Sequence, residues 1–131
     1  MLAGKSFQDK HFGANSAPDH GSEKSMSKQA MVVLSTAPDE AVGSQIAAAL
    51  VERRLAACVN IVGGVRSLYW WEGKVRDDAE VLLICKTDDS HVQGLTAAIE
   101  ELHPYDCPEV VALPVTGGSA AYLSWIEESL R

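Results

Sequence analysis

Hydrophobic side chains fall into two spacings along the chain from about residue 30 onward. The run Ala30-Met31-Val32-Val33-Leu34 is short and continuously apolar, which is typical of a buried strand. The next apolar side chains recur at helical spacing, at Val42, Ile46, Ala49 and Leu50. We expect Pro38 in the first position of this helix and Arg53 and Arg54 in its last turn, where the helix dipole favours cations.

A long β-rich stretch follows, and it predicts an unusually long hairpin. Residues 57–71 form the first arm, Glu72-Gly73 makes a tight turn, and residues 75–87 form the returning arm. Gly63-Gly64 interrupts the first arm, which indicates a bulge or a bend. Arms of about a dozen residues are about twice the usual strand length, so the hairpin overshoots a small domain.

The remaining pattern predicts a helix, a strand and a short terminal helix. Ser90 is the expected cap of the second helix, and Pro104 ends it. Residues 109–115 form the predicted fourth strand, and Ser119 leads into the last helix. The resulting order, β-α-β-β-α-β with a C-terminal helix, predicts an α+β protein of the ferredoxin-like class, with both main helices on one face of an antiparallel sheet.

Composition divides the chain and excludes several function classes. Residues 1–28 are polar and without periodicity, so we expect a flexible tail before one domain at 29–131. A net charge of −7 argues against nucleic-acid partners and against polybasic membrane contact. There is no apolar run of about 18 residues, so no membrane span is expected. Three cysteines without a Cys-x-x-Cys pair predict reduced thiols and a cytoplasmic location.

The overshooting part of the hairpin carries Tyr69, Trp70 and Trp71. One interpretation is that the hairpin folds back onto its own domain. The alternative is that another chain covers it, and this is favoured because burying one large side chain is worth about 1.5–3 kcal/mol. We therefore expect an oligomer.

At this point the sequence resembles the CutA family of divalent-cation tolerance proteins. The resemblance is carried by the following segments, in this order: Glu52-Arg53-Arg54-Leu55-Ala56-Ala57-Cys58-Val59-Asn60-Ile61, Ser67-Leu68-Tyr69-Trp70-Trp71-Glu72-Gly73-Lys74, Glu80, Lys86-Thr87, His103-Pro104-Tyr105 and Pro108-Glu109. It implies a ferredoxin-like subunit in a homotrimer whose long hairpins reach onto neighbouring copies. It also implies tolerance of copper or other divalent metals. No reaction is implied by the resemblance, and no nucleophile–base constellation stands out, so an enzyme is not expected.

Metal binding requires thiolate or imidazole ligands, and the first candidates are Cys58 and His103. The alternatives are a small core residue for Cys58 and a helix-terminal cation for His103. Cys85 lies in an apolar run and is interpreted as a core residue. With a plain two-residue turn, Cys58 faces Thr87 and shares a face of the hairpin with Cys85. A single bulge at Gly63-Gly64 places the two thiols on opposite faces, and the sequence leaves this choice open.

Charged residues in or beside the strands indicate a subunit boundary. Glu80, Lys86 and Glu109 are expected either to form ion pairs between subunits or to line an inter-subunit cleft, with Trp70 and Tyr105 as its walls. Two functions follow. The first is a homotrimer that binds Cu²⁺ or another divalent metal ion. The second, by analogy with nitrogen-regulatory PII proteins, is a sensor or adaptor that binds a small molecule or a partner protein in the cleft.

Overall fold

A computed structural model describes residues 28–131, and these residues form the predicted order of elements. The strands are β1 (Ala30–Ala37), β2 (Cys58–Trp71), β3 (Lys74–Asp88) and β4 (Val111–Pro114), and the helices are α1 (Glu40–Glu52), α2 (Val92–Leu102) and α3 (Ala120–Ser129). No helix in this part of the chain is long and apolar enough to cross a membrane. The tail predicted for 1–28 lies outside the described residues except at its last position.

The four strands form one antiparallel sheet in the order β2-β3-β1-β4. This order confirms the ferredoxin-like prediction, because β1 and β3 lie in the centre and the long strand β2 lies at an edge. Helices α1 and α2 cover one face of the sheet, where the fully buried side chains include Ile46 of α1, Leu83 of β3 and Ile99 of α2. Helix α3 packs against β1 and β3.

The two faces of the sheet differ in what covers them. Side chains alternate between faces along a strand, so Val33, Leu83 and Cys85 point into the helix-covered core. The alternate positions form what we call the open face, whose apolar centre is half-exposed and consists of Val32, Leu34, Val62, Leu82 and Ile84. An apolar sheet face that no helix buries is a surface for another chain.

The start of α1 differs from the prediction for Pro38. Asp39 occupies the N-cap, and its carboxylate accepts a hydrogen bond from the Val42 amide at 2.9 Å. Aspartate satisfies an otherwise unpaired helical N–H, which proline is unable to do, so Pro38 stays outside the helix. The predicted place of the arginines in the last turn is also wrong. Arg53 is the C-cap and Arg54 follows in the left-handed region at φ +60°, where the chain leaves the helix.

The start of α2 and the length of β4 also differ from the prediction. Ser90 does not cap α2, since the N-cap is His91, which makes no side-chain cap hydrogen bond. In the turn before the helix, the Asp88 carboxylate accepts bonds from the backbone amides of Ser90 and His91, at 3.0 and 3.1 Å. Strand β4 is shorter than 109–115, since it pairs only with the segment 31–34 of β1. The rest of β1 lies free of β4, and the chain that connects α2 to β4 approaches it there.

The hairpin has the predicted turn and the predicted bulge. Glu72 and Gly73 both have positive φ, 52° and 81°, which is the signature of a type I′ turn. Trp71 faces Lys74, and the pairing continues in register to Val65. Gly63 and Gly64 then oppose a single residue of β3, so the register shifts by one between Val62 and Val65.

Candidate functional site

A buried carboxylate on the open face joins two distant parts of the chain. Glu80 of β3 is only 3% exposed, and it accepts a hydrogen bond from the Ser67 hydroxyl of β2 at 2.6 Å. Its second oxygen accepts one from the Tyr105 hydroxyl, also at 2.6 Å, and Tyr105 belongs to the segment after α2. A carboxylate removed from water needs such donors, because leaving it unsatisfied costs several kcal/mol.

His103 and Tyr105 form the other half of this cluster. His103 is buried, and its Nε2 donates to the Thr36 carbonyl oxygen at 2.7 Å, while its Nδ1 accepts from the Tyr105 amide at 3.2 Å. The two rings lie 4.5 Å apart between centroids. A carbonyl is unable to donate, so the geometry corresponds to a neutral imidazole protonated at Nε2. We call Ser67, Glu80, His103 and Tyr105, with Thr36 beside them, the polar cluster.

Two tyrosines in this region have hydroxyls that are hard to ionise. Burial, together with the hydrogen bond to Glu80, raises the pKa of Tyr105 far above its ordinary value. Burial and the bond to Asp78, at 2.5 Å, raise the pKa of Tyr69 to about 12. Both phenols are therefore hydrogen-bond donors at neutral pH and hold the neighbouring carboxylates in place.

Thr36 adds an unused polar atom to the polar cluster. Its hydroxyl is buried and has no hydrogen-bond partner among residues 28–131. Thr36 pairs with Leu82 across the sheet. Leu82 and Glu80 are alternate residues of β3 and point to the same face, so Thr36 lies on that face too. A buried hydroxyl of this kind is available to a ligand or to a neighbouring chain.

The bulge decides the question that the sequence left open for the cysteines. Cys58 faces Lys86, and Val59 faces Cys85, so the two thiols lie on opposite faces of the hairpin. Cys85 is fully buried, in agreement with its interpretation as a core residue, and burial raises its pKa to about 12. Cys58 lies on the open face at the edge of the sheet and is half-exposed.

The two predicted metal ligands do not meet within one subunit. His103 lies at the level of Leu82 on β3, whereas Cys58 lies at the level of Lys86. Four residues along a strand separate these levels by roughly 13 Å. Within residues 28–131 there is no group of three or more His, Cys, Asp or Glu side chains placed to hold a metal ion.

The other predicted residues lie on different parts of the open face and the hairpin. Lys86 donates to the Asn60 side-chain oxygen at 2.5 Å, Glu109 is half-buried just before β4, and Trp70 is 70% exposed near the turn. Of the predicted cleft residues, the structure therefore brings Glu80 and Tyr105 into contact. A cavity of about 380 Å³ lies at the opposite end of β1, between α3 and the strand, and none of the predicted residues lines it.

Three contributors to this region, Ser67, Thr36 and Asp78, were not predicted from the sequence as site residues. The hairpin alternation was the available signal, because a two-residue turn places Ser67 opposite Asp78 and diagonal to Glu80. No local pattern connects Tyr105 to Glu80 or His103 to Thr36, since these contacts join residues 25 and 67 positions apart.

Comparison with known families identifies what the fold and these residues resemble. The family described as CutA1 divalent ion tolerance protein matches residues 31–129. The match therefore extends from β1 to the end of α3.

Curated relatives are similar over the same region. The divalent-cation tolerance protein CutA of Pectobacterium atrosepticum is 50% identical over 102 residues, which are 78% of this chain and 93% of the relative. The chloroplastic protein CutA 1 of Oryza sativa is 50% identical over 101 residues, and the chain spans 57% of its length. The corresponding chloroplastic protein of Arabidopsis thaliana is 49% identical, and the chain spans 60% of it.

Solved structures agree with the fold. The crystal structure of CutA1 from Oryza sativa superposes with a TM-score of 0.79 at 48% identity, covering 82% of this chain and 98% of that one. The divalent cation tolerance protein of Thermus thermophilus gives 0.75 at 50% identity, covering 76% and 97%. The structure described as the periplasmic divalent cation tolerance protein CutA of Archaeoglobus fulgidus gives 0.76 at 33% identity, covering 78% and 99%.

Proposed function

The chain belongs to the CutA1 divalent ion tolerance family, and on this premise we propose that it works as a homotrimer that binds Cu²⁺ or another divalent metal ion. The observation that carries the assembly is the open face, whose apolar centre is left half-exposed by the subunit's own helices. The hairpin adds exposed apolar side chains on its other face, since Trp70 and Leu68, which pair with Val75 and Asp77, are 70% and 61% exposed.

Assembly also bears on how a metal ion would be held. Because Cys58 and His103 are far apart within one subunit, a site that uses both of them takes its ligands from different copies. Cys58 is suited to this role, since it lies half-exposed on the open face at the sheet edge. A thiolate is a soft ligand that copper favours, and imidazole suits copper as well. His103 requires a rearrangement, because both of its ring nitrogens already make hydrogen bonds.

The assembly is tested first, by sedimentation equilibrium of the full chain. Trp70→Ala removes the most exposed aromatic side chain of the hairpin, and Trp125→Ala, on α3, is the matched control for loss of an exposed tryptophan. We expect a wild-type trimer, and we expect Trp70→Ala to dissociate at concentrations where the control stays assembled. A wild-type monomer at micromolar concentration would overturn the proposed assembly.

The metal site is tested by calorimetric titration of Cu²⁺ into the assembled protein. Cys58→Ala and His103→Ala are compared with Cys107→Ala, which removes a thiol of similar partial exposure. We expect Cys58→Ala to lose at least tenfold in affinity, which corresponds to about 1.4 kcal/mol, and Cys107→Ala to bind as the wild type does. Equal affinity in all the variants would exclude the proposed ligands.

A second function is favoured by the polar cluster itself. The unpartnered hydroxyl of Thr36 lies on the same face as the Glu80–Tyr105 pair, and an inter-subunit cleft there would offer a small molecule both donors and an acceptor. We expect nucleotides or carboxylic acids to raise the melting temperature if they bind there. The isosteric Thr36→Val variant is the control, and a metabolite that stabilises both proteins equally binds elsewhere.

Two further expectations from the sequence stand as proposals. We propose a cytoplasmic location, on the ground that the three cysteines are in the thiol form, and it is tested by fractionation of the native cell. Some relatives are described as chloroplastic or periplasmic, and these words apply to those proteins. We also propose a binding role without catalysis. Hydrolysis of an ester or phosphoester substrate above background would contradict this proposal.

A further inference from the structure

Strand β3 presents a segregated row of charges on the open face of the hairpin. Every second residue of a strand points to the same side, so Lys74, Arg76, Asp78 and Glu80 follow one another there. The two basic residues lie next to the turn and the two acidic residues lie next to the body of the domain. We call the first pair the basic tip and the second pair the acidic belt. Glu80 is buried, so Asp78, which is partly exposed, is the anion of the belt that a neighbour is able to reach.

The opposite face of the same hairpin satisfies its charges internally. Arg66 of β2 donates two hydrogen bonds to Asp77 of β3, at 2.7 and 3.3 Å. Arg76 has no such partner, since none of the carboxylates in residues 28–131 lies within ion-pair distance of its guanidinium. Asp78 accepts a hydrogen bond from the neutral hydroxyl of Tyr69. Within residues 28–131, the guanidinium of Arg76 and the carboxylate of Asp78 therefore lie on one face without forming an ion pair with each other.

We propose that the basic tip of one copy docks on the acidic belt of the next copy. The proposal rests on the proposed homotrimer and specifies how its copies recognise one another. A closed threefold ring is built from heterologous contacts, in which one patch of a subunit meets a different patch of its neighbour. The basic tip and the acidic belt provide such a pair, because they carry opposite charges on the open face of the hairpin. The hairpin is also longer than its own domain requires.

The proposed contact determines specificity more than affinity. Opposite charges across an interface fix the register and reject wrong partners, because like charges brought together are strongly unfavourable. The aromatic and apolar side chains of the hairpin provide the buried area, and the charges decide which copy fits beside which. Reversing these charges is therefore expected to change which chains assemble with one another. Reversing a charge pair within one subunit would not have this effect.

The test is subunit mixing between the wild type and a charge-swapped chain. The variant Arg76→Glu with Asp78→Arg exchanges one cation of the tip with the accessible anion of the belt. Opposite charges still meet between its own copies, so it is expected to trimerise with itself, whereas a mixed trimer brings like charges together. The matched control is Arg66→Asp with Asp77→Arg, which reverses the pair on the other face. Because the control has the same mass as the wild type, equal amounts of ¹⁵N-labelled wild type and unlabelled variant are denatured and refolded together. Native mass spectrometry then counts the mixed trimers, which make up about three-quarters of the total if mixing is random.

We expect the control to mix randomly with the wild type. We expect the Arg76/Asp78 variant to form at least tenfold fewer mixed trimers with the wild type than the control does. Random mixing of the Arg76/Asp78 variant would overturn the inference and leave the proposed trimer intact. A monomeric wild type would instead refute the trimer itself. If the double variant does not fold, Arg76→Gln serves, with an expected trimer dissociation constant about tenfold higher at low salt and a reduced salt dependence. An unchanged constant would refute the inference.

Discussion

Removing the Tyr105 hydroxyl tests whether the buried Glu80 carboxylate depends on the polar cluster. Tyr105→Phe keeps the ring and its contact with His103, and it deletes one donor at 2.6 Å from a carboxylate that is 3% exposed. A hydrogen bond to a charged group contributes about 1.5–3 kcal/mol, so we expect the free energy of unfolding to fall by about 2 kcal/mol. The loss is at the lower end if water or a neighbouring group replaces the hydroxyl.

The assay is urea unfolding followed by tryptophan fluorescence, at one fixed subunit concentration because assembly contributes to stability. Tyr122→Phe is the matched control, since Tyr122 lies partly exposed on α3 and its hydroxyl donates to no residue of 28–131. The double variant with Glu80→Gln separates the pair from its surroundings, because removal of the charge makes the lost donor matter less.

A Tyr105→Phe protein that unfolds within about 0.5 kcal/mol of the Tyr122→Phe protein would refute the reasoning, since that range covers neutral surface substitutions. A large loss that is the same with glutamate and with glutamine at position 80 would also refute it. In that case the hydroxyl would stabilise something other than the carboxylate.

Three further predictions concern the turn, the start of α2 and the thiols. Glu72→Asn should stabilise the fold by about 0.5 kcal/mol in urea unfolding, because asparagine tolerates the left-handed backbone at φ 52° and precedes Gly73 in the favoured type I′ turn; equal or lower stability would contradict this. Burial opposes ionisation of Asp88, but hydrogen bonds from the next turn outweigh it and hold its pKa below the ordinary value. Its stabilising effect is therefore present above the unfolded-state pKa and lost as the pH falls through the folded-state pKa, so Asp88→Asn should be less stable at pH 7 and flatter in an acid titration of stability. Cys85 should resist a thiol reagent at pH 8 until the protein unfolds, since burial raises its pKa to about 12, and labelling at the rate of the half-exposed Cys107 would contradict that.

The fold was predictable because its signals are periodic. The order of elements, the long hairpin and the tight turn at Glu72-Gly73 follow from spacings of two and of three to four residues, and all are present in the structure. The errors lie at element ends. Pro38 and Ser90 are residue types common at helix starts, but Asp39 caps α1 with its carboxylate, and α2 has His91 at its N-cap without a side-chain hydrogen bond. Which of two neighbouring candidates caps a helix depends on backbone angles that composition does not specify.

The candidate site was less predictable because its contacts are long-range. Glu80 and Tyr105 were selected as separate cleft residues, and nothing in the spacing indicates that they touch. The contact arises because β4 is short and leaves the end of β1 accessible to the segment after α2. Topology, rather than a local motif, therefore brings together the Glu80 carboxylate, the Tyr105 phenol and the His103 imidazole.

The bulge at Gly63-Gly64 connects the core to the assembling surface. On its domain side, Val59 and Ile61 point into the helix-covered core and Cys58 points to the open face. Without the extra residue the alternation would continue unbroken, and each of these side chains would be on the other face. Since burying an aliphatic side chain is worth about 1.5–3 kcal/mol, the core requires this register near the domain. Beyond the bulge the register is again that of the type I′ turn, which places Ser67 beside Glu80 and Tyr69 opposite Arg76 on the open face. One extra residue thus allows β2 to bury Val59 and Ile61 in its own domain at one end and to lie beside the charged row of β3 at the other.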